Sequence, residues 1–350
     1  MPTVRSADPE AYSGSLQAAI EAGLAGRRVA HLAAGASKLT QAYRSGEAFE
    51  APALSSKKDA AVYAAYRMPA TAAAVGAALR QTRASLPDWN PASVIDLGAG
   101  TGGSAWAVGH ELESVRTATL LEQSAEAIAL GQTILAGANR DVLSRADWRR
   151  WVLPATAKEA SPPLPGSDLA IAAYVLGELR PAQQAELVRL AAAAAPAVVL
   201  IEPGSLAGHR RVLVARDQLI AAGFTVVAPC PHQMRCPLDV EGDWCHFAVR
   251  VQRSPLHRQV KGATLSYEDE KFSFVAAVRG MAAQLPAARV IQRSEQRKNL
   301  VSLALCVQDG SSRTQLVTKR HGDAYRLARK AAWGDGWQAV SEGGDAAAPG

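Results

Sequence analysis

Two groups of residues in this chain have the types and spacing to do chemistry. The first is Asp96-Leu97-Gly98-Ala99-Gly100-Thr101-Gly102, followed by Glu122. Glycines at 98, 100 and 102 let a backbone turn tightly and come close to a ligand. A carboxylate at the end of the next strand, at Glu122, can accept both hydroxyls of a ribose. Together they predict a nucleotide-like ligand. A bare strand–turn–helix and a nicotinamide dinucleotide site are the competing readings. The second group is the four cysteines, Cys230, Cys236, Cys245 and Cys306. Four thiolates can hold tetrahedral zinc or an iron–sulfur cluster. The short Cys-x2-Cys knuckle that zinc ribbons prefer is absent. His232 and His246 are candidate substitute ligands, and unrelated buried thiols are the plain alternative.

The elements that must position these groups are legible as changes of pattern. Val94 to Leu97 reads as a strand feeding the glycine turn. Further strands are expected over 117–122, 168–174, 197–202 and 223–228, with helices over 103–112, 124–136, 181–194 and 210–221. This alternation predicts a parallel, doubly wound α/β sheet, which binds ligands beyond the carboxyl ends of its strands. Residues 9–85 read as helical, with Ser55-Ser56-Lys57-Lys58 as a break and cap and Pro69 as a kink or restart. After Pro229 the alternation stops, and strands are expected over 246–252, 272–278, 299–307 and 313–318. The predicted organisation is a helical region (1–90), a cofactor domain (91–229), a metal-binding basic appendage (230–338) and a disordered tail (339–350).

The charge is unevenly placed. Of a formal net charge of +6, residues 230–337 carry 17 Lys and Arg against 10 Asp and Glu. The rest of the chain has 21 against 22, so the basic excess belongs to the C-terminal third. Such a surplus suits RNA phosphates. Arg289, Arg293 and Arg297, if helical, would form one basic stripe. Lys319-Arg320-His321 and Arg326 to Lys330, interleaved with Tyr325, Trp333 and Trp337, suit single-stranded RNA. A solvated face is the bland alternative. Glu268-Asp269-Glu270-Lys271 is either a solvated turn or a partner for nearby arginines. No DNA partner is expected. No apolar run reaches the roughly 20 residues that cross a bilayer, so no membrane partner is expected. Residues 1–10 lack an apolar signal core, which predicts a cytosolic chain.

The glycine turn resembles the first motif of class I methyltransferases more than the dinucleotide fingerprint. That resemblance implies S-adenosylmethionine, with Asp96 near its methionine amino group, Gly98, Gly100 and Gly102 along the adenosine side, Glu122 on the ribose and Asp147 near the adenine. No Asn-Pro-Pro-Tyr motif occurs, and no catalytic group is identified. Methyl transfer by orientation and proximity alone needs none. A Cys-x3-Cys-x2-Cys run is absent, which argues against radical chemistry on the same cofactor.

A wider resemblance runs over roughly residues 50–337. Its stretches include Tyr63 to Thr71, Val94 to Gly103, Tyr174 to Leu179, Ile201-Glu202-Pro203-Gly204, Pro229 to Pro237, Trp244 to Arg250, Tyr267 to Phe274 and Tyr325 to Lys330. Together they resemble the methyltransferase-like family of mitochondrial small-ribosomal-subunit proteins and assembly factors, with its bacterial relatives. The resemblance implies a Rossmann-like class I methyltransferase sheet with an N-terminal helical region and a mostly β, cysteine-containing appendage. It implies S-adenosylmethionine binding and a four-iron, four-sulfur cluster on Cys230, Cys236, Cys245 and Cys306, with zinc as the alternative. It also implies binding to 16S-type RNA of the small ribosomal subunit during assembly. An active ribosomal RNA methyltransferase, a catalytically silent one and a small-molecule methyltransferase remain open. The lack of an evident targeting segment points to a cytosolic, bacterial-type member.

Overall fold

The computed structural model describes residues 9–36, 54–154, 163–238 and 244–338. The expected tail and residues 1–8, 37–53, 155–162 and 239–243 lie outside them.

The chain begins in alanine-rich helices. α1 spans Pro9–Gly23, α2 Lys57–Tyr66 and α3 Met68–Ser85. Ser56 caps α2 by accepting from the Asp59 backbone N–H at 3.1 Å. Pro69 sits in the first turn of α3, where its missing N–H leaves no helical bond unmade. The proline therefore restarts the helix, as its position predicts. Small side chains let α3 pack closely on the glycine-turn helix and on the central sheet.

The alternating region follows. It runs β1 (Ser93–Leu97), α4 (Gly103–Glu111), β2 (Thr117–Glu122), α5 (Ala125–Ala136), α6 (Asp141–Ser144), β3 (Asp147–Arg150), β4 (Leu169–Ala173), α7 (Pro181–Ala194), β5 (Ala197–Pro203), α8 (Leu206–Ala221) and β6 (Thr225–Ala228). After it come β7 (Phe247–Gln252), α9 (Pro255–Lys261) and β8 (Tyr267–Val278). The sheet order is β3-β2-β1-β4-β5-β8-β6, with β7 paired to β8. β1 to β5 are parallel, and β8 enters antiparallel between β5 and β6. This is the expected class I methyltransferase architecture. Both faces of the sheet are covered, which explains near-continuous apolar strands such as the wholly buried β4. Ile95, Leu97, Val198 and Leu200 pack in one core cluster, and Val94, Leu120, Ile171 and Val199 in the other.

Three expectations change. The strands at 246–252 and 272–278 are not appendage strands: as β7 and β8 they belong to the central sheet, so a boundary at 229 cuts through it. β3 was not anticipated, because Asp147-Trp148-Arg149-Arg150 is a polar, largely exposed edge. The arginine stripe is not helical. Arg289 lies buried in a strand, Arg293 pairs with Asp269 at 2.9 Å, and Arg297 lies in an exposed strand.

A second sheet closes the chain. It contains β9 (Ala288–Val290), β10 (Glu295–Arg297), β11 (Leu300–Val307), β12 (Ser312–Thr318) and β13 (Gly336–Trp337), with α10 at Asp323–Ala328. The order is β10-β11-β9-β13, with β12 on the free side of β11. The acidic run on β8 takes the second of its two readings. Glu270 pairs with Arg67, Glu268 with Arg253 and Lys261, and Asp269 with Arg250 and Arg293. Among the described residues, no helix is long and apolar enough to cross a membrane.

The turn from β5 into α8 has little room. A Cβ added at Gly208 would stand 2.0 Å from the Pro203 carbonyl oxygen. Gly208→Ala is expected to destabilise the protein by about 1–3 kcal/mol through overpacking, read as a lower thermal midpoint. An unchanged midpoint would mean the turn yields freely.

Candidate functional site

The reversal of strand order lies between β1 and β4, and the carboxyl ends of strands at such a switch point form a ligand cleft. The glycine turn opens there. Gly98, Gly100 and Gly102 have φ of +80°, +55° and +90°, which disfavours any side chain. A Cβ on Gly98 would also stand 2.5 Å from the Val175 side chain. Glu122, at the end of β2, reaches back to this turn. It accepts from the Gly100 N–H and the Ser124 N–H, each at 2.8 Å. Each carboxylate oxygen keeps a second lone pair for a ligand hydroxyl.

Asp96 is the unusual member. It is fully buried, and neither of its carboxyl oxygens has a full hydrogen bond. Burial, with the nearby Glu122 charge adding to it, pushes its pKa up to about 8, and Ser104 relieves this only slightly. A buried carboxyl so poorly satisfied is uncommon in a folded protein. Asp96, Gly98, Gly100, Gly102 and Glu122 therefore come together as expected.

Asp147 does not join them. It starts β3, at the amino end, half-exposed and paired with Arg149 at 2.6 Å. The strand must run on before it reaches the cleft. There Arg150 stands beside Glu122, and the Trp151 N–H donates to the Glu122 carbonyl at 2.9 Å.

The four thiols also converge. Cys230 stands two residues past the end of β6, Cys245 two residues before β7, and β11 folds back to bring in Cys306. With Cys236 they line one cavity, together with Leu238, Ile291 and Arg289. Burial pushes Cys306 up to about 12, with Cys230 and Cys236 adding to it. Burial raises Cys245 as well, and the three other thiols raise it further. His232 is buried, with Nε2 3.3 Å from the Cys306 sulfur. Burial, then Arg216, holds its pKa down, so the ring is neutral. His246 instead packs between Trp244 and Trp333. Among the described residues, no group of three or more His, Cys, Asp or Glu side chains is gathered so as to hold a single metal ion.

The chain matches the family described as mitochondrial small ribosomal subunit Rsm22 over residues 57–338. It belongs to that family. Ribosome assembly protein METTL17, mitochondrial, from Homo sapiens is 31% identical over 293 residues, which cover 78% of this chain and 61% of the human protein. Rsm22-cox11 tandem protein 2, mitochondrial, from Schizosaccharomyces pombe is 28% identical over 179 residues, 39% of this chain and 24% of that one. The Rsm22-family chain thus spans 61% or less of the length of these relatives. Among solved structures, magnesium protoporphyrin IX methyltransferase (ChlM) from Synechocystis PCC 6803 is 12% identical, with a TM-score of 0.36 and coverage of 69% of this chain and 91% of that one. A score so low carries no weight, and the fold rests on strand order. The family and relatives correct one expectation: all are described as mitochondrial, which overturns the cytosolic assignment.

At the β4 end of the cleft, the Rsm22-family chain has a polar network already engaged. Tyr174 has φ of +62°, a left-handed backbone rare for a bulky residue. Its hydroxyl donates to Glu270 at 2.8 Å, and Arg67 makes a two-pronged pair with Glu270 at 2.8 and 3.2 Å. Behind it, fully buried Glu202 accepts from Leu176 N–H at 3.0 Å and Arg211 Nε at 2.7 Å. The first network joins α2, β4 and β8. Arg67→Met strands Glu270 and is expected to cost about 2 kcal/mol, as for a hydrogen bond to a charged group. Urea denaturation reads this directly, and an unmoved midpoint would show that Tyr174 alone satisfies Glu270.

Proposed function

We propose that this chain is an assembly factor of the small ribosomal subunit that binds S-adenosylmethionine in the cleft and holds an iron–sulfur cluster on its four thiols. The observation that carries the cofactor reading is Asp96, a fully buried carboxyl that only Ser104 relieves, beside a glycine turn. Its carboxylate would take the methionine ammonium. Gly98, Gly100 and Gly102 would let the nucleoside approach the backbone, and Glu122 would take ribose hydroxyls on its remaining lone pairs. Bound S-adenosylmethionine supplies an activated methyl group. The residues here would bind and orient it.

The donor set fits the cluster: four cysteines share one cavity lined also by Leu238, Ile291 and Arg289. Cys230, Cys236, Cys245 and Cys306 would be its ligands, with zinc the alternative. The RNA reading is supported by exposed basic side chains on one sheet and its helix: Arg297, Lys298, Arg313, Lys319, Arg329 and Lys330. Trp337 is buried and donates to Gln315 at 2.7 Å, so it is no stacking platform. The name of the human relative, a ribosome assembly protein, supports the same reading.

Anaerobic purification tests it, followed by iron, sulfide, zinc and S-adenosylmethionine analysis and by sedimentation with small subunits. A brown protein carrying iron and sulfide, binding the cofactor and co-sedimenting is expected. Stoichiometric zinc without sulfide overturns the cluster, and a protein that never sediments with small subunits overturns the assembly role.

A further inference from the structure

We propose that Arg216 and Arg289 are built-in counter-ions of the thiol centre and set its reduction potential, an inference that rests on the cluster reading above. Both residues are 2% exposed. A buried cation is costly unless an anion or a full set of acceptors meets it. Neither guanidinium has a buried carboxylate partner in a hydrogen bond. Arg289 Nε donates to the Pro229 carbonyl at 2.8 Å and Nη1 to the Gly334 carbonyl at 3.1 Å, while Nη2 has no partner. Arg216 Nη2 donates to the carbonyls of His232 and Met234 at 3.3 and 2.7 Å, and its Nε has no partner. Its ion pair is with Asp217 at 3.0 Å, whose side chain is 74% exposed and so weakly opposes a buried charge. Asp335 is the carboxylate near Arg289, and it too is exposed.

Both arginines face sulfur instead. Arg289 lines the thiol cavity, close to Cys230, Cys245 and Cys306. Arg216 lies against Cys230 and within electrostatic reach of Cys306. His232 Nε2 stands 3.3 Å from the Cys306 sulfur. Four thiolates around an oxidised four-iron core leave two net negative charges, and two guanidiniums cancel them. Without that anion two buried cations stand uncompensated. With it, the pair lowers the cost of adding one further electron, since net charge and hydrogen bonds to sulfur govern the potential of such centres.

The test is a redox titration of the full-length, anaerobically purified protein with dithionite, followed by electron paramagnetic resonance. Arg289→Gln and Arg216→Gln each remove one charge. Each is expected to shift the reduced-to-oxidised ratio at a fixed potential about tenfold towards oxidised, about 59 mV for one electron. Arg289→Lys and Arg216→Lys keep the charge and should titrate near wild type. A loaded wild type whose glutamine variants titrate unchanged overturns the counter-ion role alone. A wild type without iron and sulfide overturns the cluster reading, and this proposal falls with it. Should the glutamine variants not fold, the lysine variants decide. Loading at the wild-type potential supports charge as the cause, and failure to load shows that the hydrogen bonds to Pro229 and Gly334 are what matter.

Discussion

On the proposed cluster reading, Cys245→Ser is expected to abolish iron and sulfide loading and loosen the C-terminal third while the cofactor cleft survives. The reason is where Cys245 stands. It is the thiol that feels the other three, and its carbonyl accepts from Ser273 Oγ at 2.8 Å on β8. Cys230 hangs from the end of β6 and Cys306 from β11, so a cluster across them staples the second sheet to the first. The small core of that second sheet, with Val290, Val301, Leu303, Leu305 and Val317, is a modest anchor by itself. Where a site forms only in the folded chain, binding free energy is folding free energy. Iron and sulfide are expected to fall roughly tenfold or more, since even losing an outer partner of a ligand costs 10–100-fold. Amide exchange should rise across 288–337 and stay slow in β1, β4 and β5. S-adenosylmethionine affinity should stay within about threefold, a change under 1 kcal/mol. Iron retained at wild-type level would remove Cys245 from the ligand set.

What could be read before the fold, and what could not, divides by the range of the signal. The glycine turn was legible because left-handed backbone at Gly98 and contact with Val175 both demand glycine locally. β4 and β5 were legible as unbroken apolar runs. β3 was not, because an exposed edge strand has no buried face to write into its sequence. The first half of β8 hid for a related reason. Tyr267 to Lys271 pair only with β7, so their side chains are polar, and Glu268, Asp269 and Glu270 are met by basic residues from other segments. Nothing local says that this strand slips between β5 and β6. The spacing of Arg289, Arg293 and Arg297 suits a helix equally well, and only the pairing of β9 with β11 and β13 decides otherwise. The convergence of Cys306 on its partners depends on that same pairing. Its chemistry was readable, its geometry was not. Asp147 shows the converse: the expected acid exists, but its strand presents it at the wrong end.

Asp96→Asn is expected to separate ligand binding from stability, in opposite directions. In the unfolded chain this carboxyl titrates near 3.8, and in the ligand-free fold near 8. The folded state therefore holds the proton more tightly. Stability is fully present below the lower value and is lost as pH rises towards the upper one. Glu122, also raised by burial, adds to the same slope. Asparagine has no proton to lose. The variant should match wild type near pH 4 and exceed it above pH 8, by an amount on the order of a few kcal/mol. Binding runs the other way. An ammonium needs the ionised carboxylate, so wild-type affinity for S-adenosylmethionine should climb as pH rises towards 8. The variant, lacking a charge-assisted bond worth about 1.5–3 kcal/mol, should bind roughly 10–100-fold more weakly. Calorimetry in buffers of different ionisation enthalpy reads the proton released on binding, and thermal melts from pH 5 to 8.5 read the stability. Equal affinity of variant and wild type, with no proton release, would mean that the cation sits elsewhere and that Asp96 is merely a protonated member of the core.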